Sequence, residues 1–261
     1  MEFSKIMYVK EKGIAKITIN RPEARNALNR AVRLELRNAI EDIERDGDIR
    51  VAIFTGAGDK AFISGADVTE FKESTPIMIE EHASTLGQEL FTSLENLRVP
   101  VIAMINGYCF GGGLEVAMCC DIRIASENAS FGQLEVNVGI IPGGGGTLRL
   151  PRLVGWGRAK EMIYTGRIID AFEAGKIGLI DRVVPQDKLG AEVNQLAETI
   201  CSKSPIIIKL AKKAINRGMY TDLAAGLSYE RTAFALCFAT EDHTEGINAF
   251  LEKRKPEFKG I

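Results

Sequence analysis

The chain has 261 residues, 46% hydrophobic and 26% charged, enough apolar content for a large buried core, which excludes a disordered polypeptide. Its 33 basic and 35 acidic residues leave a net charge of −2, so no global field draws it to nucleic acid or anionic lipid. No apolar run reaches the roughly 18 residues of a membrane-spanning helix, and residues 1–13 show no apolar h-region, so neither membrane nor signal peptide is expected.

In chain order, Glu11-Lys12-Gly13 marks the turn of a hairpin between MYVK and IAKITIN, ended by Arg21-Pro22. Val32, Leu34, Leu36, Ala39, Ile40 and Ile43 recur at near-helical spacing over 29–45. Residues 51–56, VAIFTG, are continuously apolar, the pattern of a strand buried on both faces, and glycines break it at 56–59. Thr75-Pro76 opens a helix over 76–97, with Leu86, Leu90, Leu94 and Leu97 on one face. Val99 to Ile105 reads as a second buried strand running straight into Asn106-Gly107 and Gly111-Gly112-Gly113. A helix then runs to Cys120, with a third strand over 121–126. Residues 143–178 read as helix broken by glycines and 179–184 as a short strand. Helices are predicted over 188–202, 205–217, 221–239 and 242–253. Strands alternating with helices imply right-handed crossovers and a mainly parallel sheet, built from a βα unit without a sequence period. The expected division is a core over 1–187 and an appended helical region over 188–261.

Two glycine clusters and two glutamates are unusual. Gly111-Gly112-Gly113 is either a tight turn or an anion site, because unpaired N–H groups there face outward at the positive end of a helix dipole. It is not a nucleotide loop: Leu114-Glu115 stand where Gly-Lys-Ser/Thr is needed, and Val116 where a dinucleotide fingerprint needs Gly or Ala. The run Gly143 to Gly146 lacks the lysine as well. Glu115 is the one charge in the apolar stretch 114–120, either a used carboxylate or a dipole-stabilising acid on a solvated face. Glu135 lies 20 residues later, just before Gly139-Ile140-Ile141-Pro142, and a strand with its return would bring the two together as an acid/base couple. Gly65-Ala66-Asp67 by itself reads as a loop with a cap at Asp67. His82 and His243 read as surface residues, which disfavours Ser-His-Asp and Cys-His relays, and no metal site is expected. The five cysteines, Cys109, Cys119, Cys120, Cys201 and Cys237, form no CxxC; they read as reduced thiols of a cytoplasm-like compartment, Cys109 as a core or pocket-lining thiol.

Taken together and in order, several stretches resemble the enoyl-CoA hydratase (crotonase) family. They are Asn20-Arg21-Pro22 with 26–29, then 60–67, 105–107 with 111–115, and 120–125. Residues 131–135, 139–143, Gly146-Thr147 and 252–260 complete the series. The resemblance implies an α/β spiral of repeated ββα units, with C-terminal helices that build a homotrimer or a hexamer of two trimers. It implies an acyl-CoA substrate, coenzyme A being part of that substrate and no separate cofactor being needed. The backbone N–H groups of Ala66 and Gly112 would form the oxyanion hole for the thioester oxygen. Glu115 and Glu135 match the two catalytic glutamates of the hydratases, Glu115 as base toward water and Glu135 as donor of the α-proton. Ser64 and Ala66 match positions near the adenine and pantetheine. Gly65, Asp67, Phe110, Gly111, Pro142 and Gly143 are the other expected substrate contacts. Phe258 and Lys259 match residues that reach a neighbouring subunit's CoA, while Lys253-Arg254-Lys255 reads equally as a solvated tail.

The expected activity is therefore hydration of a trans-2-enoyl-CoA in fatty-acid metabolism. Phe110 stands where many hydratases carry a smaller aliphatic residue, so cyclic dienoyl-CoA hydration, 3-hydroxypropionyl-CoA dehydration and enoyl-CoA isomerisation stay open. An RNA-binding role would rest on Lys203, Lys209, Lys212, Lys213 and Arg217, but no aromatic platform accompanies them.

Overall fold

A computed structural model describes residues 3–261. The hairpin forms as expected: β1 (Ile6–Glu11) pairs antiparallel with β2 (Ile14–Ile19). Next comes helix α1 (Arg30–Arg45), capped by Asn29, whose side chain accepts from Val32 N at 2.9 Å. Its buried face differs at two positions from the sequence pattern. Arg33 is buried beside Val32, Leu36, Ala39, Ile40 and Ile43, while Leu34 is only half-buried.

The next turns repeat one plan. Strand β3 (Val51–Gly56) is followed by β4 (Ala61–Ile63), then by one helical rod made of α2 (Pro76–His82), a π-helical turn at Ala83–Glu89 and α3 (Leu90–Glu95). Strand β5 (Val101–Ile105) is followed by β6 (Tyr108–Phe110) and α4 (Gly112–Cys119). Strand β7 (Ile122–Ser126) is followed by β8 (Ser130–Gly132), a 3-10 turn at Glu135–Val138 and α5 (Gly146–Val154). Then come α6 (Trp156–Thr165), β9 (Ile169–Asp170), α7 (Ala171–Lys176) and β10 (Arg182–Val184). The chain continues through α8 (Leu189–Cys201), α9 (Pro205–Met219), α10 (Leu223–Cys237) and α11 (Glu241–Leu251). No helix among the described residues is long and apolar enough to cross a membrane.

The repeating unit is therefore ββα rather than βα. The long first strands build a six-stranded sheet in the order β1-β2-β3-β5-β7-β10, parallel except for the hairpin. The short second strands build another, β4-β6-β8-β9. Ala61–Ile63, where the sequence reading placed no strand, form β4, and β6 stands between Gly107 and the triple glycine. Three-residue strands carry too little alternation to show a period.

The two faces of the large sheet explain the continuously apolar run at 51–56. Ala52 and Phe54 point into the main core with Ile17, Ala103 and Ala125. Val51 and Ile53 point the other way with Ile102 and Ile124, where Leu189, Val193 and Ala197 of α8 cover them. Period-two alternation persists, but both sides are dry. All five cysteines are free, three of them buried.

Candidate active site

Each second strand delivers the chain to the same place, and the segments that leave these strands build the site. After β4 the backbone pairs with Leu28 at Ala66. After β6 the chain turns at Gly111 into the first turn of α4. The two segments meet: Ala66 N lies 3.6 Å from where a Cβ on Gly112 would stand. Neither the Ala66 nor the Gly112 N–H finds an acceptor among the described residues. Gly112 sits at the helix N-terminus, so its free donor carries the dipole's positive end.

Glu115 projects from that same first turn and is only 3% exposed. Its Oε1 accepts from Gly144 N and Gly146 N, both at 2.8 Å. The four-glycine run makes this approach possible. A Cβ on Gly144 would stand 2.5 Å from Glu115 Oε2 and from Phe91 Cε2, and one on Gly146 would stand 3.0 Å from Glu115 Oε1. Only glycine lets the backbone come close enough to donate. Burial raises the Glu115 carboxyl above its usual range, against the pull of those two N–H donors and of Arg33 and Arg149.

Glu135 opens the 3-10 turn after β8 and is half-buried. Burial, with a smaller contribution from the Glu115 charge, pushes its carboxyl up to about 7. Gln133, fully buried, sets its side-chain amide 3.0 Å from both Glu135 oxygens. The strand and return between the two glutamates does converge them. Both line one cavity of about 710 Å³ together with Ala66 and Gly112.

The cavity is lined as well by Ser64, Gly65, Phe110, Gly111 and Gly143, and closed by apolar Phe71, Ile79, Phe91, Leu134 and Ile141. Phe110 stacks on Tyr108 of the same strand face, 5.3 Å between ring centres. Other expected contacts lie elsewhere. Asp67 is outside the lining; it precedes the turn at 68–71, but no cap hydrogen bond forms there. Its carboxylate takes the Thr69 hydroxyl at 2.7 Å and Arg21 at 3.2 Å. Pro142 lines a neighbouring cleft, facing Arg149 and Lys213. Phe258 and Lys259 are held far along the chain by backbone bonds to Arg50 and Asp242, away from this chain's cavity.

Several residues of the site were missed from sequence. Arg33 and His82 both line the cavity. His82 is half-buried rather than on the surface, with its Nε2 enclosed and unpartnered. His243 is half-buried too, its ring 4.3 Å from that of Phe238. Arginine near the start of an amphipathic helix looks like a solvated charge; only the packing of the π-helical turn against α1 encloses it. Cys109 is fully buried, and burial holds its thiol well above the usual range. The basic cluster is not a free patch either: Lys212 is buried, paired with Asp121 at 2.7 Å and donating to Val99 O at 2.9 Å.

Two N–H groups without acceptors and two carboxylates of unlike environment share this cavity, an arrangement with the chemical means for proton transfer beside a developing oxyanion. The two-sheet ββα spiral that carries it is the crotonase fold. The chain belongs to the enoyl-CoA hydratase/isomerase family, whose profile matches residues 9–261. It is 48% identical over 258 residues to a crotonyl-CoA hydratase of Syntrophomonas wolfei, covering 99% of both chains. It is 48% identical over 257 residues to a short-chain-enoyl-CoA hydratase of Clostridium acetobutylicum, covering 98% of both. The crystal structure of an enoyl-CoA hydratase from Bacillus anthracis superposes with a TM-score of 0.95 at 44% identity, over 99% of this chain and 100% of that one.

Proposed function

We propose that the chain is an enoyl-CoA hydratase, adding water reversibly across the 2,3 double bond of a trans-2-enoyl-CoA to give the 3-hydroxyacyl-CoA. The observation that carries this reading is the convergence of both glutamates with the free Ala66 and Gly112 N–H groups in one cavity. The thioester oxygen accepts from those two donors, which stabilise it most when it carries enolate charge. Glu115 takes a proton from a water that attacks Cβ. Glu135, with its carboxyl near neutral pH, gives its proton to Cα. Hydroxyl ends on Cβ and hydrogen on Cα, and the couple resets when one proton returns from Glu115 to Glu135.

The names of the two relatives support a short acyl group. Exposed Leu223, Phe234, Phe250 and Leu251 on α10 and α11 support a homotrimer, or two trimers as a hexamer, in which these faces are covered. Phe258 and Lys259 would then meet a neighbouring subunit's CoA. Five free thiols suit the cytoplasm.

The test is the loss of conjugated-thioester absorbance when the protein meets crotonyl-CoA. The expected result is rapid loss with the natural chain and a rate at least about a hundredfold lower in Glu115→Ala and in Glu135→Ala. No absorbance change on crotonyl-CoA or on longer and cyclic enoyl-CoAs would overturn the hydratase reading.

A further inference from the structure

Arg33 stands out among the residues of the cavity wall. It is 6% exposed, and no carboxylate lies within ion-pair distance of it among the described residues. Its Nη1 donates to the Leu86 carbonyl of the π-helical turn at 2.9 Å, and its Nε has no partner. An enclosed arginine so poorly matched is costly as a structural element. Its guanidinium lies over the face of Phe91, 5.6 Å from the ring centre. The same ring neighbours Glu115 Oε2, since both stand 2.5 Å from where a Cβ on Gly144 would be. Phe91 therefore carries the cation on its face and adjoins the carboxylate, in a medium that screens charge weakly.

The other cation directed at Glu115 is Arg149 of α5, and Glu95 of α3 neutralises it at 2.7 and 3.1 Å. The remaining groups around Glu115 are Glu135 and the buried Cys119 thiol of α4. Facing Arg33 are Glu115, Glu70 and His82. Arg33 is thus a positive charge of the site that makes no ion pair among the described residues, Glu70 acting on it only at a distance.

We propose that Arg33 is a positioning residue that holds Glu115 in its ionised form beside Phe91, leaving Glu115 Oε2 free for the attacking water. The proposal rests on the hydratase reading for its consequence in turnover but not for its electrostatics. It also divides the labour of the glutamates. Glu115 faces a cation and two backbone N–H donors, so it rests as the base, whereas Glu135 has no cation, only its own backbone N–H and the Gln133 amide, and rests as the acid.

The experiment compares the full-length chain with Arg33→Met and Arg33→Lys. One readout is the pH profile of kcat/KM on crotonyl-CoA. The other is a carbon-13 NMR titration of the Glu115 carboxyl without substrate. In the natural chain the rising limb reports Glu115 losing its proton, and the falling limb, near 7, reports Glu135 losing its own. Removing the cation raises Glu115, so Arg33→Met moves the rising limb up by about one pH unit. The bell narrows and kcat falls roughly tenfold, with KM changed less than about threefold. Arg33→Lys keeps the charge and restores the limb to within about half a pH unit. The NMR titration shows the same order of variants even if the natural chain hydrates nothing, an outcome that would sink only the hydratase reading. If Arg33→Met does not fold, the Lys variant and Arg33→Gln decide by the same titration. An unmoved Glu115 titration, or a Lys variant no better than Met, would make Arg33 a strut for the Leu86 carbonyl and overturn the proposal.

Discussion

Glu115 has two backbone donors on one oxygen and a cation across Phe91, whereas Glu135 has a neutral amide and a neighbouring charge of its own sign. The same residue type is thereby given two unlike environments. For Glu135 this has a consequence for stability. Burial lifts its carboxyl from 4.5 to about 7, so between those values the folded chain binds more protons than the unfolded one. Stability linked to this group is fully present below about pH 4.5 and declines as pH rises through 7. Glu135→Gln removes the titration. The variant is expected to melt above the natural chain at about pH 8, with the gap closing below about pH 5, while its hydration rate collapses. Thermal melts by circular dichroism across that range check it. Equal melting points at the alkaline end would show that Glu135 ionises there at no cost. Functional sites commonly store instability of this kind.

At the scale of elements, the loop before α5 is as much a part of the site as either glutamate. Gly144 and Gly146 carry the donors that hold Glu115, and Phe91 on α3 closes the same space. A methyl group on Gly144 would meet both the Glu115 carboxylate and the Phe91 ring. Gly144→Ala is therefore expected to displace Glu115. It should lower kcat by roughly a hundredfold through misplacement and stability by about 1–3 kcal/mol through overpacking. KM for the enoyl-CoA should move little, because the Ala66 and Gly112 donors are untouched. Steady-state kinetics with a urea titration separates the two effects. A large rise in KM with kcat preserved would contradict the assigned role of the loop. The π-helical turn acts in the same neighbourhood, and the inserted register brings Leu86 O to Arg33 and Gly87 to the cavity.

For the whole molecule, the question is what ties the C-terminal helices to the sheets. α8 does so by apolar contact, with Leu189, Val193 and Ala197 on the sheet face. α9 does so by charge: Lys212 bridges to Asp121 at 2.7 Å and to the Val99 carbonyl at 2.9 Å, on either side of the ββα turn that begins with β5. Asp121 also accepts from Val101 N at 2.7 Å, and burial raises its carboxyl despite the lysine. Lys212→Met leaves that half-buried carboxylate without its cation. Breaking a buried pair from one side costs about 3–5 kcal/mol. The expected result is a destabilised chain whose hydration rate per folded molecule is unchanged, since neither residue lines the cavity. A loss under about 1 kcal/mol by urea unfolding would show that solvent replaces the bond.

Strand and helix order, the hairpin, the wholly apolar central strands and the four C-terminal helices were legible in the sequence because each obeys local rules. Period two, period 3.6, caps and glycine breaks are all properties of neighbouring residues. The ordered series from Asn20 to Gly260 showed the family for the same reason, and with it Glu115, Glu135, Ala66 and Gly112 as residues to examine. Tertiary structure decided the rest. The short strands β4, β6 and β8 exist only because they pair with one another, and they make the unit ββα. Arg33 and His82 carry surface chemistry in amphipathic helices, and their enclosure depends on which helix packs over them. The glycines of 143–146 lack any nucleotide-loop pattern because their partner is Glu115, in the helix before β7. Local sequence specifies which elements form. The protonation of a carboxylate depends on which dipoles and charges folding brings within a few ångströms of it, and no pattern along the chain contains that distance.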